Sequence, residues 1–157
     1  MSERARIVDL LCRVHNGDAW HGPSLMDALA GVTAAQARAR PIPAAHSIWE
    51  TALHIIAWRH EVRERLRGKK PALPEPGDWP PVPDDDGKWA EVATLMDVSH
   101  RLLVVAVESL SDTDLERKVG PSRQAGLGTG VTVAVMLHGV AQHDAYHAGQ
   151  ISLLKKA

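Results

Sequence analysis

Three of the nine histidines stand where their side chains could bind a divalent transition metal. His143 and His147 are four residues apart, so on a helix both imidazoles lie on one face, about 6 Å apart along the axis. His54 is the only polar residue in the apolar run from Ala52 to Trp58. A buried imidazole costs free energy unless its ring nitrogens find partners. One metal ion, bound by His54, His143 and His147, would supply a partner to all three.

The same residues also allow an interpretation without a metal. Two helical histidines at this spacing are more often surface residues or single hydrogen-bond donors, and His54 could simply bond a backbone carbonyl. With a metal, three neutral imidazoles would leave a zinc-like ion one open position, which suits catalysis more than a structural role.

Glu50 is the strongest further candidate near this site. It lies one turn before His54, where it could be a fourth ligand or accept a hydrogen bond from an imidazole. It also occupies the N3 position of a capping box that begins at Ser47, and we favour that explanation.

Asp144, Gln150 and His21 are weaker candidates. Asp144 and Gln150 could orient the imidazoles of His143 and His147, although Asp144 could equally be exposed to solvent. His21 could approach the metal pocket or cap a neighbouring helix.

The other histidines are not predicted to take part in chemistry. We expect His46 to be structural and His138 to pack in the core or at an interface. His15, His60 and His100 fall at helix ends or in polar surroundings, so we expect them at the surface.

Four long segments with helical periodicity must position these residues. They run from about 2 to 15, 47 to 67, 86 to 110 and 131 to 155, and a short extra helix at 23–30 and one further turn at 34–40 follow the first. The expected core stripe of the third helix is Val92, Leu95, Met96, Leu102, Leu103, Ala106 and Leu110. This pattern predicts an all-α four-helix bundle, one domain over residues 1–157, with long loops between helices 2 and 3 and between helices 3 and 4.

The loop at residues 69–84 holds six of the ten prolines, which exclude a helix there. A loop of this length in a compact domain is usually a functional cover or disordered. Trp79 suggests that it docks on something, so we favour a lid over the site.

Composition restricts the classes of partner. The net charge is −1 and the basic residues are spread along the chain, which argues against nucleic acid and against anionic membranes. The single cysteine, Cys12, allows no intrachain disulfide, and no stretch approaches the roughly 20 apolar residues of a membrane span. The charged start does not look like a signal peptide, so we expect a cytoplasmic protein.

Three segments resemble motifs of the DinB/YfiT-like superfamily. The segment His143–Ile151 is similar to the C-terminal signature of that family, and Ser47–Trp58 is similar to its second-helix motif. Trp20–Ser24 also looks like a segment of many members, so the resemblance covers nearly the whole chain.

The resemblance implies a fold, a site and a class of activity. The fold would be a four-helix bundle with up-down-down-up topology, and the metal would be bound by His54 from the second helix and by His143 and His147 from the last. Many relatives are homodimers. The family includes metal-dependent thiol transferases and maleylpyruvate isomerases that use a low-molecular-weight thiol, and its name implies no contact with DNA.

Residues and resemblance together predict a metal-dependent enzyme that acts on a small molecule. A three-histidine site could activate bound water for hydrolysis or a bound thiol for transfer, and the resemblance favours the thiol. Zinc or nickel is the expected metal, with iron, manganese or copper as alternatives, of which iron and copper also suit imidazole ligands. The alternative is a non-enzymatic dimeric module with a structural metal or a sensor role. That alternative predicts a closed coordination sphere, with a fourth protein ligand such as Glu50.

Overall fold

The computed structural model describes residues 1–75 and 77–157, and within them the fold is helical and contains no strand. Four long helices make up most of the helical structure: α1 (Glu3–Asn16), α4 (Ile48–Leu66), α5 (Trp89–Glu108) and α7 (Val133–Leu154). Three short helices lie between them: α2 (Leu25–Leu29), α3 (Ala34–Arg38) and α6 (Asp112–Glu116). None of the helices in these ranges is both long and apolar enough to cross a membrane.

Serine or threonine caps the start of most of these helices. At Ser24, Thr33, Ser47 and Ser111 the side chain accepts from the N3 amide, and the N3 side chain bonds back to the cap amide. Such reciprocal capping satisfies amides that the first turn leaves unpaired. Ser111 was expected to end the third long helix, but it caps α6, a helix that periodicity did not predict.

The four long helices pack in a ring, in which α1 contacts α5 and α7, and α4 contacts the same two. Two apolar clusters fill the interior. One includes Ile7, Leu103 and Leu137, and the other includes Trp49 and Ile151.

Buried polar residues separate the two clusters along the helices. Arg59 is only 1% exposed, and its Nε and Nη2 donate to Asp144 Oδ2 at 2.9 and 2.7 Å. Its Nη1 donates to the Met96 carbonyl at 3.0 Å and to Ser99 Oγ at 3.2 Å, and Nη2 lies 3.5 Å from His15 Nδ1. One guanidinium therefore connects all four long helices.

The prediction that His15 and His100 lie at the surface is wrong. Both are buried, and their rings stack with centroids 4.0 Å apart, where α1 meets α5. Burial, together with the neighbouring His15 and Arg59, lowers the pKa of His100 to about 3. Burial also lowers the pKa of His15, although Asp97 opposes the shift.

This stack should make the fold sensitive to acid. The groups that face it are Arg59, Asp97 and Asp144, and the balance keeps both imidazoles neutral in the folded chain. In the unfolded chain the two imidazoles are protonated with the ordinary pKa of 6.5, whereas in the folded chain the pKa of His100 is about 3. Unfolding therefore takes up protons, and the free energy of unfolding falls as the pH drops below 6.5.

We expect His100→Phe, which keeps a stacked ring, to reduce this proton uptake by about one proton per chain. Urea unfolding of chelator-treated protein gives the free energy of unfolding at a series of pH values from neutral to about pH 4.5. The slope of that free energy against pH gives the proton uptake. The same substitution at the exposed His60 is the control. Identical slopes for wild type and His100→Phe would contradict the assignment.

The core face of α5 also differs from the predicted stripe. Leu95 and Leu102 are 46% and 44% exposed, whereas Ser99 and His100 turn inward. Because α5 is apolar on more than one side, its pattern of hydrophobic residues does not indicate which face is buried. The exposed side, which also carries Val98 and Val105, forms a continuous apolar stripe at helical spacing.

Candidate metal centre

The three predicted histidines meet in one place. His54 Nε2 lies 2.9 Å from His143 Nε2, and His147 Nε2 lies 3.1 Å from the same atom. Among the described residues they are the one group of metal-binding side chains whose ligand atoms converge. His54 reaches the site from α4, and the other two come from successive turns of α7.

The outer nitrogens of two imidazoles are fixed by oxygen acceptors. His54 Nδ1 donates to the Asp78 carbonyl at 2.6 Å, and His147 Nδ1 donates to Gln150 Oε1 at 2.6 Å. These acceptors require the ring proton on Nδ1, which leaves Nε2 with a lone pair directed into the site. Gln150 therefore lies where it can orient His147, and the Asp78 carbonyl is a partner that the sequence did not reveal.

His143 is the most open of the three, with 30% of its side chain exposed. Its Nδ1 lies 3.5 Å from Asp144 Oδ1, an oxygen that is buried and has no hydrogen-bond partner in the described chain. Burial raises the pKa of Asp144, but Arg59 and His143 more than offset this and keep it below its ordinary value. Asp144 is thus a buried carboxylate beside His143, not an exposed one.

The burial of the site also favours neutral imidazoles. Burial, with a contribution from His143, lowers the pKa of His147 to about 4. Burial lowers the pKa of His54 as well, against the raising effect of the Asp78 carbonyl. Neutral imidazole is the form that binds a metal ion.

The spacing of the three Nε2 atoms fits a single ion. The Nε2 atoms of His54 and His147 carry lone pairs, and each lies about 3 Å from His143 Nε2, so one cation could contact all three imidazoles. Nitrogens about 2.0 to 2.1 Å from one ion are separated by about 2.9 to 3.4 Å, depending on the coordination angle. The observed separations of 2.9 and 3.1 Å fall in that range.

The proline-rich loop packs directly on the site. The Trp79 ring stacks on His54 with centroids 4.0 Å apart, and on His46 with centroids 3.5 Å apart. Trp58 Nε1 donates to Asp78 Oδ1 at 2.7 Å and so holds the loop to α4. The predicted docking of Trp79 is confirmed, and its target is an imidazole of the metal centre.

Glu50 and His21 do not join the cluster. The Glu50 carboxylate accepts the Ser47 amide at 2.7 Å and pairs with the Arg40 guanidinium, as the capping interpretation requires. Burial raises the pKa of Glu50, but these two partners bring it below its ordinary value. His21 lies exposed, outside the converging group.

Two cavities adjoin the centre from different sides. One, of about 390 Å³, is lined in part by His143 and Asp144. The other, of about 380 Å³, is lined in part by His147, Gln150 and Trp79. A small molecule therefore has space beside the imidazoles.

One comparison with known proteins identifies a relationship. The sequence model described as DinB superfamily matches residues 20–151, a span that contains all three histidines. No curated protein and no solved structure matches the chain.

Proposed function

The chain belongs to the DinB superfamily, and from that premise we propose that it is an enzyme dependent on one divalent transition metal bound by His54, His143 and His147. The observation that carries this proposal is the convergence of three Nε2 atoms, with His143 Nε2 at 2.9 Å from that of His54 and at 3.1 Å from that of His147. No fourth protein ligand joins them within residues 1–75 and 77–157. An open position on the ion is therefore available to substrate or water.

The surrounding residues have separate tasks in this proposal. Asp78 and Gln150 hold two imidazoles in the tautomer that directs Nε2 inward. Trp79 covers one side of His54 and excludes water there, which is the lid role expected of the loop. When bound, the metal supplies a Lewis acid that lowers the pKa of a bound thiol or water.

We place thiol transfer to a small electrophile first and hydrolysis second, because the superfamily that the motifs resemble includes metal-dependent thiol transferases. Zinc or nickel is the proposed metal, with iron, manganese or copper as alternatives, of which iron and copper also suit imidazole. The alternative of a structural metal in a non-enzymatic module required a fourth ligand such as Glu50. Its carboxylate is already bound by Ser47 and Arg40.

We expect metal-loaded protein to conjugate at least one low-molecular-weight thiol to an electrophile, with the rate lost on chelation and restored by metal. A panel of thiols against electrophilic acceptors, with ester and amide substrates alongside, measures this by mass spectrometry. His54→Ala protein is the control for contaminating activity. Ester or amide hydrolysis without conjugation would replace the thiol reaction by hydrolysis, and neither activity across the panel would count against the enzyme.

We also propose that the long helices follow up-down-down-up order in a four-helix bundle. This order makes α1 parallel to α7, α5 antiparallel to α1, and α4 parallel to α5. Three contacts support it: Glu3 with His138, Arg4 with the Leu110 carbonyl and Trp49 with Trp89.

The proposed working form is a cytoplasmic homodimer, as in many of the superfamily members that the motifs resemble. The exposed apolar stripe of α5, formed by Leu95, Val98, Leu102 and Val105, offers a surface for such an interface. Light scattering should give twice the chain mass of 17.0 kDa, and a single-chain mass would contradict the dimer.

A further inference from the structure

The cavity beside His143 has the size and the walls of a small-molecule site. Its volume of about 390 Å³ lies within the range of ligand pockets, about 300 to 1,000 Å³. It is an open cavity between α4, α7 and residues 123–131, and apolar side chains line much of it: Trp58, Val62, Val131, Val135, Met136 and Val140. An apolar body of a few carbons fits such walls.

Three arginines line this cavity, and two of them are fully engaged. Arg59 is bound by Asp144, as described above. Arg65 donates to Glu61 Oε1 at 3.0 Å and to two backbone carbonyls at 2.6 and 3.0 Å. Arg123, by contrast, is exposed, and within residues 1–75 and 77–157 its guanidinium has neither a hydrogen bond nor an ion pair. It is the cation of this cavity whose charge the protein does not neutralise.

The backbone around Arg123 is held in place by two residues of its own segment. Thr129 is 5% exposed, and its hydroxyl donates to the Ser122 carbonyl at 2.8 Å and accepts the Gln124 amide at 3.0 Å. Gly130 has φ +76°, and a Cβ there would lie 2.7 Å from the backbone of Arg123. Only glycine allows this approach without displacing the arginine.

We propose that Arg123 binds the carboxylate of the substrate, and that the substrate is a small molecule with an apolar body and one carboxylate. A guanidinium matches a carboxylate in charge and in planar bidentate geometry. His143 lines the same cavity, so a molecule anchored at Arg123 lies in the space that adjoins the metal centre. This assignment of substrate class rests on the function proposed above.

Hexanoate and hexanamide are suitable probes, because they share the apolar body and differ in the charged group. We expect wild-type protein at neutral pH to bind hexanoate at least about tenfold more tightly than hexanamide, since hydrogen bonds to a charged group are the stronger ones. Arg123→Gln should abolish this preference, and Arg123→Lys should restore part of it. Arg101→Gln, at an exposed arginine on α5, should leave both affinities unchanged.

Calorimetric titration of metal-loaded and chelator-treated protein separates Arg123 from the metal. A hexanoate preference that survives Arg123→Gln but disappears with the metal would place the carboxylate on the ion and overturn the proposal. Equal binding of the two probes by wild type, or no binding of either, would also overturn it. Because the preference is measured without catalysis, an absence of enzymatic activity would leave this result standing.

Discussion

Replacement of His54 by Ala is expected to abolish stoichiometric metal binding while the protein remains folded. Loss of a partner that merely supports a ligand weakens metal affinity by about 10- to 100-fold, so loss of a ligand should exceed that. The side chain is buried, but its ring faces the two other imidazoles and Trp79 and not the apolar clusters, so its removal leaves the helix and its cap intact. Elemental analysis after dialysis against zinc, with circular dichroism for the fold, measures both effects.

Two other variants, one on α4 and one on α7, provide a control and an intermediate case for this experiment. His60→Ala removes an exposed imidazole from α4 and should leave one metal per chain. Gln150→Ala removes the acceptor of His147 Nδ1 and should weaken the affinity by about 10- to 100-fold. A metal content that stays at one per chain in His54→Ala would show that the proposed ligand set is wrong.

Replacement of Arg59 by Ala should be the most destabilising single substitution of any buried polar residue. It leaves the Asp144 carboxylate buried without its cation, and it removes donors from the Met96 carbonyl and Ser99. Breaking a buried ion pair from one side costs about 3 to 5 kcal/mol of the free energy of unfolding. Urea unfolding of chelator-treated protein measures this directly.

A double replacement distinguishes the loss of the ion pair from the loss of side-chain volume. Arg59→Met with Asp144→Leu removes both charges and keeps much of the volume, so it should recover most of the stability lost in Arg59→Ala. If Arg59→Ala does not fold, the folded double variant carries the test. Arg13→Ala, at the exposed pair with Asp9, is the control and should change stability far less. A double variant as unstable as Arg59→Ala would refute the ion-pair explanation.

The convergence of His54, His143 and His147 could be predicted because two local patterns happened to be informative. The spacing of His143 and His147 fixes their common face on any helix, and the apolar surroundings of His54 mark it as buried. Ser47 and Glu50 were likewise readable, because a capping box involves only neighbouring residues. Both patterns depend only on residues that are close together in the sequence, so they can be recognised without knowledge of the fold.

The polar residues between the apolar clusters could not be predicted, because their partners lie on other helices. His15, Arg59 and His100 look like surface residues when each helix is considered alone. Arg59 pairs with Asp144, and His15 stacks on His100, and in each pair the partner is 85 residues away along the chain. One signal was available for Arg59, since it shares the helical spacing of the buried Ile55 and Val62.

The position of the proline-rich loop was only partly foreseeable. Its prolines exclude a helix, and an aromatic residue in a polar loop suggested docking. The pairing of the Asp78 carbonyl with His54 depends on how the chain folds back over α4. Because a backbone carbonyl makes this contact, the residue types of the loop do not indicate it.

Three imidazoles are proposed to bind one metal ion and leave part of its coordination sphere open. X-ray absorption of zinc-loaded protein, freed of any affinity tag, measures this directly. We expect one zinc per chain, three imidazole nitrogens at about 2.0 to 2.1 Å, and a further light ligand that an added thiol replaces. A zinc content near zero, or a first shell closed by a fourth protein ligand that no added thiol displaces, would contradict it.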